Sequence, residues 1–119
     1  MAKGGDMKDR TWKFALRCIK LCKSLPNTYE GRHFGGQLLR SSTSVAANYR
    51  ASQLSQSKKT FIAKLSIALE ESDESALWME FIIADNLLEE EKVKPLLDEA
   101  NEITNILAKS RITARKNKK

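Results

Sequence analysis

Residues 57–80 read SKKTFIAKLSIALEESDESALWME, and the fold of the chain turns on this stretch. Phe61, Leu65, Leu69, Ser72, Ala76, Met79 and Ile83 recur at three- and four-residue steps, which puts them on one face of a helix. No Gly or Pro interrupts the pattern from Ser57 to Leu88, so the spacing predicts one helix over 57–88, about 45 Å long at 1.5 Å per residue. Its second half adds Leu77, Trp78, Phe81 and Ile82 on other faces, and burial almost all round is expected there. Glu70, Glu71, Asp73 and Glu74 form an acidic band midway, expected to be salt-bridged or solvated and not catalytic.

Working outward, a segment over about 9–25 ends at Pro26-Asn27. Trp12, Ala15, Leu16, Ile19 and Cys22 form one apolar stripe on it, and Phe14, Cys18, Leu21 and Leu25 a second. Two stripes cover more than a helix leaning on a single core needs. The second therefore implies a subunit interface. Arg10, Lys13, Arg17 and Lys20 share the remaining arc. After a connection containing Gly31, His33, Gly35 and Gly36, a helix is expected over about 34–49, with Phe34, Leu38, Val45 and Tyr49 inward. The last helix is expected over about 94–111, with Pro95 near its start, where a missing N–H matters least. Residues 112–119 read as a frayed basic tail.

Four amphipathic segments with short links predict an all-α, up-down-up-down antiparallel four-helix bundle in a single domain, residues 1–119. Hydrophobic residues at 41% and charged residues at 30% exclude a disordered chain. The two cysteines are too few for a secreted disulfide scaffold, and no apolar run is long enough to span a bilayer. A cytoplasmic location with no membrane partner is the expectation.

Chemistry is hard to find. The single histidine, His33, has no Glu-x-x-His partner for a di-metal site and no reach to Cys18 or Cys22 in mid-helix. Gly35-Gly36 is not followed by the Gly-Lys-Ser/Thr of a phosphate loop. No catalytic residue, metal or cofactor is expected, and the chain reads as a binding protein.

The second specific stretch, residues 37–48, reads QLLRSSTSVAAN, and residues 14–25 read FALRCIKLCKSL. Together with residues 57–80 they resemble the four-helix-bundle proteins encoded by intervening sequences of bacterial large-subunit ribosomal RNA genes. The resemblance covers about residues 12–108. It implies a homopentameric ring of bundles. It also extends to a related branch, the accessory proteins of diversity-generating retroelements, which are basic barrels that bind nucleic acid and a reverse transcriptase. Three positions depart from the family pattern: Ala51 stands where an acidic residue is frequent, and Ser42 and Ala46 where glycines are frequent.

Charge points to the partner. The net charge is +6, and the excess of Lys and Arg falls in residues 1–60 and in the extreme C-terminus. A basic surface for a polyanion follows, RNA ahead of DNA, carried by Arg10, Lys13, Arg17, Lys20, Arg40, Arg50, Lys58, Lys59, Arg111, Arg115 and Lys116. Asn48, near the expected end of the second helix, is assigned to capping backbone groups there. Most aromatic residues are assigned to the core, which argues against stacking of unpaired bases. The alternative is a protein-binding accessory subunit, such as a partner of a reverse transcriptase.

Overall fold

The computed structural model describes residues 3–117, and their side chains from Asp6 onward. The elements are α1 (Lys3–Lys23), α2 (Tyr29–Gln53), α3 (Lys58–Ala84) and α4 (Glu90–Lys116). The links between them are far shorter than any helix, so consecutive helices must run antiparallel. The result is an antiparallel four-helix bundle of 50 × 22 × 22 Å, with no strand among the described residues.

Local signals explain where the helices start and stop. Thr28 caps α2 by accepting from the Gly31 N–H, and Ser57 caps α3 by accepting from the Thr60 N–H. Glu90 and Glu91 in the first turn of α4 suit the positive end of its dipole. After α3, Asn86 adopts a left-handed φ of 57°. Its N–H donates to Ile83 O and the Leu87 N–H to Ile82 O, each at 3.0 Å. That is a Schellman end with asparagine in the usual glycine position.

The core is built from Phe14 and Cys18, Leu38 and Val45, Leu65 and Met79, and Ile103 and Leu107, two from each helix in turn. Hydroxyls tie the layers together: Ser41 meets Ser75 at 2.9 Å across α2 and α3, and Ser72 meets Thr104 at 2.7 Å across α3 and α4. Ser75 donates to Glu71 O and accepts from Ser41, while of Ser72 and Thr104 one donates to a carbonyl of its own helix and accepts from the other, so burial leaves none of them unpaired.

Several expectations are corrected. Helix α2 begins at Tyr29, so Gly31, His33, Gly35 and Gly36 are helical and not a connection. At Gly31 a Cβ would lie 2.1 Å from the Pro26 carbonyl oxygen, so glycine serves close packing of the loop against the helix. Helix α3 ends four residues before the expected Leu88, at Ala84, because Asn86 turns the chain. Helix α4 begins at Glu90, which places Pro95 in its second turn. The expected basic tail is helical as far as Lys116, while Lys118 and Lys119 lie outside the described residues. The second half of α3 is not buried all round, since Leu77 and Phe81 are exposed.

Candidate nucleic-acid interface

Helix α1 presents one buried and one open apolar stripe. Phe14, Ala15 and Cys18 are in the core, whereas Trp12 is 56% and Leu16 45% exposed. Burial pushes the Cys18 thiol up to about 12 and the Cys22 thiol up to about 11, so both stay protonated near neutrality. Among the described residues no group of three His, Cys, Asp or Glu is placed to hold a metal ion.

The predicted basic residues divide sharply. Arg10 is committed to α4, with Nε and Nη2 donating to Glu99 at 2.7 and 2.8 Å and Nη2 also to Glu102. Arg40 is committed to α3, donating to Glu71 at 3.0 and 3.1 Å and to Glu74. Both are clamps between helices, their guanidinium groups held above the ordinary pKa mainly by those hydrogen bonds. Lys13 pairs with Asp9 at 2.9 Å on its own helix. Arg17 and Lys20 stay exposed beside a shallow groove with Lys92 and Pro95. Thus the expected stripe on α1 is half neutralised, and the acidic band of α3 pairs with Arg40 instead of the lysines near it.

The remaining members converge on one end of the bundle. The antiparallel course brings together the first turns of α1, the α2–α3 turn and the last turns of α4. Arg50, Lys58, Lys59, Arg111, Arg115 and Lys116 sit there, joined by Lys8, Lys64 and Lys109, which were not singled out from the sequence. The carboxylates nearest that end are Asp6, Asp9 and Glu70, with Glu71 and Glu102 at mid-height, where they pair with Arg40 and Arg10. Arg111 donates to Ser66 at 3.2 Å, a neutral partner that leaves its charge uncompensated. Lys58 and Lys59 occupy the first turn of α3, where the helix dipole is already positive and no acidic residue offsets it. Positive charge at that position is mildly unfavourable, by roughly 0.3–1 kcal/mol, and an anion would offset it. The opposite half holds the other carboxylates, Glu30, Glu80, Asp85 and Glu89 to Glu91 among them.

Asn48 donates to Ser44 O at 2.9 Å and Ser44 Oγ at 3.0 Å, a backbone role as expected, although in mid-helix and not at a free end. Most aromatics serve the core as expected, with Phe14 and Tyr49 inside it and Phe34, Phe61 and Trp78 packed against it, but Trp12, Tyr29 and Phe81 are exposed. Tyr29 is 75% and Phe81 45% exposed, and with His33, Phe34 and Trp78 they form a cluster at the carboxylate-rich end.

A family model described as "23S rRNA-intervening sequence protein" matches residues 6–109, which take in α2, α3 and most of α1 and α4. The chain belongs to the 23S rRNA-intervening sequence protein family. Among solved structures it is similar to a protein of unknown function from the S23 ribosomal protein family of Bacteroides thetaiotaomicron VPI-5482. The two are 34% identical with a TM-score of 0.83, and the alignment covers 88% of this chain and 97% of that one. No curated protein matches. In this member of the intervening-sequence family no helix among the described residues is long and apolar enough to cross a membrane.

Proposed function

We propose that this chain is a non-catalytic, homo-oligomeric cytoplasmic protein that binds nucleic acid, RNA ahead of DNA, through the basic end of its bundle. The observation that carries this reading is the convergence of Arg50, Lys58, Lys59, Arg111, Arg115 and Lys116 on one end with almost no carboxylate beside them. Phosphate neutralisation by such a cluster is sequence-tolerant and falls steeply with salt. The family's tie to ribosomal RNA intervening sequences supports RNA as the polyanion.

Self-association is supported by two apolar faces on different sides. One is Trp12 and Leu16 of α1 with Leu39 of α2, edged by Lys13, Arg17 and Lys20; the other is Ile67, Leu77 and Phe81 of α3, with Glu70 and Glu74 set among them. They are unlike in charge and alike in apolarity, which suits a head-to-tail contact that closes into a ring, five-membered as the family resemblance implies. With the bundle axes along the ring axis, every basic end lies on one rim, and weak contacts add through avidity.

The test is fluorescence anisotropy of a labelled structured RNA and a matched DNA duplex at two salt concentrations. Nuclease-treated wild type is compared with a Lys58→Glu/Lys59→Glu/Arg115→Glu variant of unchanged oligomeric state. The variant is expected to lose about tenfold or more in affinity, and wild-type binding to weaken with salt. No wild-type binding at low salt sinks the reading.

A further inference from the structure

The last turns of α4 face the start of α3 across Phe61, Ala114 and Asn117. Phe61, which packs on the core from α3, is left partly uncovered there. Two adjoining grooves of about 380 and 480 Å³ meet at Phe61, Ala114 and Asn117. One extends to Lys58 at the start of α3, the other to Ile106 and Lys109 along α4.

We infer that this groove takes an unpaired base of a single-stranded nucleic acid, its face on Phe61 and its flanking phosphates on Lys58, Lys59 and Lys109. The inference rests on the nucleic-acid reading above and narrows it to a substrate class. A duplex offers this end phosphates alone, because its bases are stacked inside. An unpaired nucleotide offers both a flat apolar face and a charge, which is what an apolar groove rimmed by lysines matches. The cluster around Tyr29, Trp78 and Phe81 is larger in aromatic area but lies among carboxylates that repel phosphate, so it does not compete.

The experiment measures binding of a single-stranded RNA containing 2-aminopurine, the same sequence as single-stranded DNA, and a blunt duplex with equal phosphates. Wild type, Phe61→Leu and the groove-filling Ala114→Leu are compared, each checked for helicity and oligomeric state. Wild type is expected to quench 2-aminopurine and to bind single strands about tenfold tighter than duplex. Either variant that folds is expected to lose that excess while keeping duplex affinity, and the RNA and DNA arms separate the two sources of the base. Equal affinity of wild type for single strand and duplex overturns the inference and leaves the parent reading standing. So does a folded pair of variants that keeps the preference. Absence of binding to every probe overturns both.

Discussion

Arg10 and Glu99 form a two-point ion pair, at 2.7 and 2.8 Å, that joins α1 to α4 across the most sparsely packed seam of the bundle. Glu99 is mostly covered, whereas Glu102, which takes the third bond, is largely in solvent. The pair with Glu99 therefore dominates, since screening weakens the exposed one. A double-mutant cycle on Arg10→Gln and Glu99→Gln is expected to give a coupling of about 1 kcal/mol in chemical unfolding. RNA affinity should stay within about twofold of wild type at Arg10→Gln, because its charge is already spent on carboxylates. A loss equal to that of the Lys58/Lys59 variant would return Arg10 to the interface.

Gly31 and Gly36 are both helical and answer to opposite rules. A Cβ at Gly31 meets the Pro26 carbonyl oxygen at 2.1 Å, and one at Gly36 meets nothing within 4 Å. Gly31→Ala is expected to destabilise by about 1–3 kcal/mol through forced movement of the loop. Gly36→Ala is expected to stabilise the subunit by about 0.5–1 kcal/mol through helix propensity alone. Thermal melts of the two variants check both signs. Equal destabilisation would mean that Gly36 is covered in the assembled protein.

The contrast between these glycines also shows what a sequence can carry. The four helices were legible because Leu65, Met79, Ile103 and Leu107 recur with a helical period that no other structure satisfies. The start of α2 was not, because three glycines read as a loop until Thr28 is seen to cap them and Pro26 to press on Gly31. Nor was the end of α3, since Asn86 stops a helix by adopting a positive φ that few residue patterns announce. For the interface, the residue types were legible and the pairing was not. Arg10 and Arg40 look like Arg50 and Arg115 in one dimension; only the antiparallel register sets carboxylates against the first two. Phe61 has the spacing of a core residue, and only the register that sets it beside Ala114 and Asn117 shows it partly uncovered.

Glu74 links the aromatic cluster to the Arg40 clamp. It accepts from Trp78 Nε1 at 3.0 Å and from Arg40, and these bonds, Trp78 first, hold its carboxyl below the ordinary range against a smaller opposing effect of burial. A depressed folded-state pKa contributes stability above the ordinary carboxylate value, and that stability is lost as pH falls through the folded value. Glu74→Gln is therefore expected to be less stable than wild type at neutral pH, with the gap closing on acidification. A carboxyl-resolved NMR titration should show Glu74 titrating low in wild type and higher in Trp78→Phe. An unchanged titration in that variant would assign the effect to Arg40 alone.

Cys18 and Cys22 are one turn apart and free, yet neither is set up to react. Cys18 is fully buried, and Cys22 donates to the Gly35 carbonyl at 3.3 Å. With thiols raised to about 12 and about 11, the thiolate fraction under mildly alkaline conditions is very small. Native protein is expected to react with a thiol reagent at Cys22 slowly and at Cys18 only as fast as the bundle opens, whereas unfolded protein reacts at both at once. Mass spectrometry of quenched samples distinguishes the sites, and prompt labelling of Cys18 would contradict its burial.

The two apolar faces make a prediction that separates a ring from a symmetric dimer. Leu16 is 45% exposed on one face and Phe81 45% exposed on the other. If unlike faces meet, Leu16→Asp destroys one half of the contact and Phe81→Lys the other, so each variant alone should run as a monomer by light scattering. Mixed together, each still carries the face that the other lacks. One contact can then form, but it cannot propagate, because the free faces of the resulting pair are the two damaged ones. The mixture should therefore give a one-to-one dimer and nothing larger. A contact in which each face meets its own copy gives a different result: either variant alone would still dimerise through its intact face.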